Sequence, residues 1–292
     1  MKLLGRTAVA VAVLAACYAV IVGINVRSWL FQPAVYPRGD WQIQRDYGAR
    51  DVHMTAADGS TLTGWWIPYA GARRTVLFFH SRRGNISEQA AHIVKLQELE
   101  SNIFLIDYRG YGKSGGRPSL AGLRQDGETA YQYVTGTLRV PPRELILHGE
   151  EIGAAVAAAL AAAHPQVAGL VLESPFPNLR AFADHAMPLS GWLLGGAGGY
   201  DVTAWVRQYP GPKLFLFGSN DEDVPAAMSE RVFDAAAPPK SEHEIMGGAA
   251  ASLVIYGGDQ YRDWLREFYS DARLPVPEER LPKLPMLQFG RR

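Results

Sequence analysis

The chain has 292 residues, 29 Lys plus Arg against 29 Asp plus Glu, and 48% apolar or aromatic residues. That length admits one large domain or two small ones with a sizeable core. A net charge of zero, with basic residues only in short pairs such as Arg73-Arg74 and Arg82-Arg83, excludes a nucleic-acid footprint, and Cys17 as the single cysteine excludes an intrachain disulfide.

Residues 7–26, "TAVAVAVLAACYAVIVGINV", carry no charge and are long enough for one membrane span of about 20 residues. "LAAC" at 14–17 fits a lipoprotein cleavage pattern, but the apolar run continues past Cys17. A cleaved signal peptide would have a shorter apolar region. The reading favoured is an uncleaved signal anchor over 1–27. Lys2 and Arg6 against Arg27 orient the N-terminus inside, which leaves one span and a globular domain on the extracytoplasmic side. Residues 28–50 form an aromatic, proline-rich connector. Trp29, Phe31, Tyr36 and Trp41 suit either a membrane interface or packing on the domain.

The domain is expected over 51–272. Strands are predicted at 51–54 and 61–67 around the turn "ADGS", then a buried strand at 75–80 and a helix over 86–100 with Ser87 as N-cap. A strand at 102–108, a helix over 119–138, a strand at 144–149 and a helix over 151–163 follow. Strands at 167–174 and 213–219, a helix over 226–236, a strand at 241–247 and an amphipathic helix over 258–270 complete the pattern. Such alternation implies a mostly parallel sheet covered on both faces. Residues 175–210, rich in Gly and Pro, read as an irregular lid insertion. The tail 273–292 is proline-rich and expected to be extended.

The stretch "ELILHGEEIGAAVAAALAAAHP", 144–165, is a buried strand, a sharp turn between Gly149 and Gly153, and a small-residue helix. This is the layout of the G-x-S-x-G nucleophile elbow, with Glu151 where the serine should stand. "HSRRGN", "DYRGYGKSGGRPS", the elbow, "ESPF" and "GSNDEDVP" each follow a predicted strand. Together they resemble the α/β-hydrolase superfamily, within it the membrane-anchored, short-lid serine hydrolases of the bud-emergence type, over roughly Phe31 to Tyr269. "GKS" in the second motif is not a phosphate loop, because Asp107 replaces the leading glycine.

The resemblance implies a Ser, Asp, His triad in that chain order. Asp221 fits the acid of the family's D-x-x-V-P stretch, and Asp223 does not. By spacing from Gly247, Ala250 takes the histidine's place. The oxyanion loop and pocket fall on His80, Ser81, Arg82 and Ile152. His80 and His148 are expected in packing or supporting hydrogen bonds, and His243 as an ordinary strand histidine. With nucleophile and base both absent, the expectation is a non-catalytic binding or scaffold protein at the membrane. A small acyl or peptide ligand or a protein partner would suit it, with no metal and no cofactor. The alternative is a hydrolase of esters, halides or epoxides with non-standard residues, Glu151 acting as covalent nucleophile or Glu151 or Asp221 as general base. Glu151 is expected to be held as an anion by free backbone N–H groups at the helix N-terminus, with Arg82 or Arg83 on the facing loop as a charged partner.

Overall fold

A computed structural model describes residues 2–194 and 199–271. The expected tail and residues 195–198 of the expected lid lie outside the described residues. In chain order the elements are α1 (Lys2–Leu30), β1 (Gln32–Pro33), α2 (Ile43–Asp46), β2 (Arg50–Thr55), β3 (Thr61–Ile67), β4 (Thr75–Phe79) and β5 (Arg83–Gly84). Then come α3 (Ala90–Glu98), β6 (Asn102–Asp107), α4 (Leu120–Gln132), β7 (Leu145–Glu150), α5 (Ile152–Ala163) and β8 (Gly169–Glu173). Last are α6 (Leu179–Ala186), α7 (Val202–Gln208), β9 (Lys213–Gly218), α8 (Ala226–Ala235), β10 (Lys240–Ile245) and α9 (Leu253–Asp271).

Eight strands form one sheet in the order β10-β9-β8-β7-β4-β6-β3-β2, parallel from β10 to β6 and antiparallel at the β6–β3 and β3–β2 pairs. β4, β7, β8 and β9 are buried along their whole length, as strands covered on both faces must be. Successive residues feed opposite cores. Leu77, Phe79 and Leu147 pack under α4 and α5, whereas Val76, Phe78 and Ile146 face α3 and α9. The small side chains of α5 let it lie close against the sheet and α7.

The chain runs from β4 outward to β6, then returns to the other side of β4 as β7. The β4–β7 boundary is therefore the point where strand order reverses, and the carboxyl ends there are where open α/β sheets place their ligands.

Several boundaries differ from expectation for local reasons. The helix expected at 86–100 opens as a 3₁₀ turn capped by Asn85, whose Oδ1 accepts from the Ser87 amide at 2.8 Å, so Ser87 lies inside the turn and α3 begins at Ala90. Ser119 caps α4 by accepting from the Gly122 amide at 3.1 Å. Beyond Gln132 the backbone widens into a π turn over Tyr133–Thr137, where the Thr135 hydroxyl donates back to the Tyr131 carbonyl at 2.8 Å. The last helix begins at Leu253, with Gly258 at φ 51° interrupting it. The 175–210 segment is more regular than expected. Asn178 and Asp201 cap α6 and α7, which together carry 15 of its described residues.

α1 runs three residues past the expected anchor end at Arg27. Tyr18, Val22, Val26, Trp29 and Leu30 lie along one face of it, and Val26 and Leu30 are fully buried in the domain core. Its stretch Val11–Leu30 has a mean hydropathy of 1.8, long and apolar enough to cross a membrane. Among the connector aromatics, Trp29 meets Phe182 at 4.8 Å and Trp41 meets Trp65 edge-on at 5.7 Å, both packing on the domain, whereas Tyr36 is exposed.

Candidate functional site

Glu151 is the N-cap residue of α5 at φ 53°, ψ −108°, a conformation that costs a non-glycine residue about 1–3 kcal/mol. The turn is held from outside: the Glu151 amide donates to the Glu173 carbonyl of β8 at 2.9 Å. It is tight enough to require its glycines. A Cβ on Gly149 would overlap the Gly153 carbonyl, and one on Gly153 would overlap the Phe79 carbonyl at the end of β4. The elbow geometry is complete, with a carboxylate at its apex.

That carboxylate does not project freely. Arg82, fully buried on the loop after β4, places its guanidinium against Glu151 Oε2, and its amide donates to Oε1 at 3.3 Å. The second arm of the guanidinium reaches Asp223 Oδ1 at 2.9 Å. Arg83 holds the other oxygen of Asp223 at 2.8 Å. The guanidinium carbon also lies over two touching rings, 4.6 Å from Trp29 of α1 and 5.3 Å from Phe182 of α6. Burial pushes Glu151 up to about 7, against the pull of Arg82 in the other direction. Burial also raises Asp223, but the two arginines win and hold it below the usual carboxylate range. Of the two arginines the sequence offered, Arg82 takes Glu151 and Arg83 takes Asp223.

Asp221 lies after β9 with both oxygens engaged. Oδ2 accepts from the Ser174 hydroxyl at 2.8 Å and the Ala250 amide at 2.9 Å, and Oδ1 accepts from the Val224 amide at 2.8 Å. Residues 151, 221 and 250 thus come to one pocket of about 390 Å³, whose wall also includes Ser81, Arg83, Glu150 and Asn220. At position 250 the side chain beside Asp221 is a methyl group. Ile152 is buried at the start of α5. His243 is elsewhere, on β10, its ring stacked on Trp264 at 4.3 Å.

The two strand-end histidines are structural. His80 is buried, its Nδ1 2.7 Å from the Ser81 carbonyl and its ring against Tyr108 and Tyr111. Burial lowers it to about 4, so it is neutral near pH 7. His148 sits below the pocket, its Nε2 2.5 Å from Glu173 Oε1, which also accepts from the Tyr261 hydroxyl at 2.6 Å. His92 approaches the other Glu173 oxygen at 3.3 Å. Burial opposes ionisation of Glu173, but His92 and His148 hold it well below the ordinary range.

Sequence reasoning missed three members of the site. Glu150, next to Glu151 on the pocket wall, is buried with Oε1 unpartnered. Burial and the neighbouring Glu173, Glu151 and Asp221 push its carboxyl well above the usual carboxylate range. Asp223 was set aside as the wrong acid, yet it is the second anchor of Arg82. Trp29 was placed in a linker. The adjacent acids Glu150-Glu151 and the run Asp221–Asp223 were the available signals, since two carboxylates at one strand end rarely stay ionised together.

A sheet of this order, with an elbow at its reversal point and an acid after the strand beyond the 175–210 segment, is an α/β-hydrolase fold. The comparisons agree. The family model for serine aminopeptidase S33 matches residues 70–199. The α/β hydrolase domain-containing protein WAV2 of Arabidopsis thaliana is 30% identical over 72% of this chain and 75% of its own. The protein bem46 of Schizosaccharomyces pombe is 27% identical over 85% of this chain and 87% of its own. The esterase Pf2001 of Pyrococcus furiosus superimposes with a TM-score of 0.69 over 83% of this chain and 98% of its own, at 19% identity. This chain belongs to the α/β-hydrolase superfamily.

Proposed function

We propose that the chain is a membrane-anchored α/β-hydrolase-fold protein without acyl-transfer chemistry, acting as a binding or scaffold protein. Residues 7–26 hold it in the membrane with the domain on the extracytoplasmic side. The observation that carries the reading is the buried Arg82–Glu151 pair. A nucleophile must present a free, reactive atom, and the group at the elbow apex is instead locked by a guanidinium and a backbone amide. The Arg82 amide, on the expected oxyanion loop, is already taken by the Glu151 carboxylate. Ala250 adds that Asp221 has no imidazole to orient. Triad members act as a unit, so losing one removes nearly all of the rate beyond roughly 10³–10⁴ over water. Covalent attack by Glu151 on a halide or epoxide suffers the same lock, and its ester would find no histidine-activated water.

The test is Glu151→Ser, Ala250→His and the double change, assayed on a short-chain nitrophenyl ester and with a fluorophosphonate probe. Wild type and both single variants are expected to be inactive, and the double variant to gain labelling and turnover. It should remain slow, because the buried Arg82 beside the elbow then keeps Asp223 as its one carboxylate partner. Ester hydrolysis by wild type well above an Asp221→Asn, Glu151→Gln control would overturn the reading. Carbonate extraction tests the anchor, with release of full-length protein counting against it.

A further inference from the structure

The lid segment presents large apolar side chains to its surroundings beside α1. Leu189 and Trp192 are 65% and 72% exposed. The loop that carries them is fastened to α1, because the Tyr18 hydroxyl donates to the Pro188 carbonyl at 2.5 Å.

This attachment fixes a depth. A helix rises 1.5 Å per residue, and a hydrocarbon layer is about 30 Å thick. Val22, Val26 and Leu30 are buried, the last two in the domain core, so lipid ends near Val22 on the domain side. Tyr18 lies one helical turn, about 6 Å, inside that end. Only a span ending before Tyr18 would keep the loop in water. The apolar residues from Thr7 to Cys17 reach about 16 Å, half of what is needed.

The loop is built to tolerate such a place. Polar backbone in hydrocarbon must be satisfied internally. The Met187 amide donates to Ala183, Ser190 to Met187 and Leu193 to Ser190, at 2.9, 3.0 and 2.9 Å. The Gly191 amide donates to Asp184 Oδ1 at 2.8 Å, and the Ser190 hydroxyl to the Ala183 carbonyl at 2.7 Å. Leu189 is held at φ 62°, a left-handed conformation unusual for leucine, with its side chain outward. Arg180 lies over the Trp192 ring at 3.9 Å, the aromatic-plus-cation pairing that suits a headgroup boundary.

We infer that the loop Pro188–Trp192 is a second membrane contact, with Leu189 and Trp192 inserted in the same leaflet that α1 crosses. The inference rests on α1 being a membrane span, as proposed above. Its consequence is that the bilayer surface presses on the segment carrying α6, whose Phe182, with Trp29 of α1, clamps Arg82 over the pocket.

The experiment uses the full chain with Cys17→Ser and one new cysteine at a time: Leu14→Cys, Leu189→Cys, Trp192→Cys or Tyr69→Cys. Tyr69 is exposed at the amino end of the parallel strands, opposite the end that carries the pocket, its amide bonded to Asn102 at the start of β6. Each variant is labelled with a nitrobenzoxadiazole dye and reconstituted into phosphatidylcholine–phosphatidylglycerol vesicles carrying doxyl-labelled acyl chains. The expected result is loss of fluorescence at positions 14, 189 and 192 and none at 69. Loss at 14 with none at 189 and 192 overturns the second contact while leaving the anchor intact. No loss at 14 removes the anchor, and the second contact falls with it. Leu189 and Trp192 support no core packing, and the Leu189→Cys variant leaves the Arg180–Trp192 stack untouched, so a folding defect would not mimic either outcome.

Discussion

Replacing Glu151 with glutamine should remove a pH dependence that the wild-type chain carries. Glu151 is 2% exposed, and burial lifts it from 4.5 in the unfolded chain to about 7 in the fold. The folded chain therefore binds a proton there that the unfolded chain has released. The stabilisation this gives is fully present below 4.5 and is lost as pH rises through 7. Its full size is on the order of 3 kcal/mol, most of which falls between about pH 5 and about pH 8. Glutamine keeps the shape and an oxygen for Arg82, while Asp223 remains to balance the guanidinium. Its stability should not follow this slope. Other buried acids, such as Asp107, titrate in both chains and largely cancel. Thermal unfolding of the full chain in mild detergent at the two ends of that range reads the difference. For a domain of this size the variant's midpoint should gain about 5–10 °C on wild type between the acidic and the alkaline end. Parallel behaviour would refute the reasoning. It would mean that Arg82 outweighs burial and keeps Glu151 ionised at ordinary carboxylate values.

Gly153→Ala should yield little folded protein, because its Cβ meets the backbone carbonyls of Phe79 and His80, which cannot repack as side chains do; soluble yield and circular dichroism report this, and a normally folded variant would contradict the elbow geometry. Arg109→Leu should cost about 3–5 kcal/mol, since Asp126, fully buried and bonded by Arg109 at 2.7 Å, is left without its cation; Arg109→Met with Asp126→Leu should recover most of that loss in the same unfolding assay. Tyr261→Phe removes the 2.6 Å donor to Glu173 and should cost about 1.5–3 kcal/mol, measured as a shift in unfolding midpoint.

The sheet was legible in the sequence because strands buried on both faces must be continuously apolar, and "TVLFF", "LILHG" and "KLFLFG" have no other economical reading. The elbow was legible for a steric reason: two glycines flanking one residue between a strand and a small-residue helix satisfy the close approach to Phe79. What the site does with Glu151 was only half legible. The neighbouring "RR" offered two candidate partners on one loop, and sequence gives no rule for which faces inward. That choice is made by packing. Arg82 lies where Trp29 and Phe182, 153 positions apart in the chain, close over its guanidinium, and Arg83 is left at the surface for Asp223. The same long-range closure hid the true extent of α1. Its hydropathy marked a span, but the stripe Val22, Val26, Leu30 is apolar for either lipid or protein. Only the facing surface decides between them, and here the face belongs to the domain. An apolar helix end that packs on the fold cannot also be bathed in lipid. How much of α1 a membrane could cover is therefore set jointly by the helix and by the protein surface beside it, and that surface is a property of the folded chain.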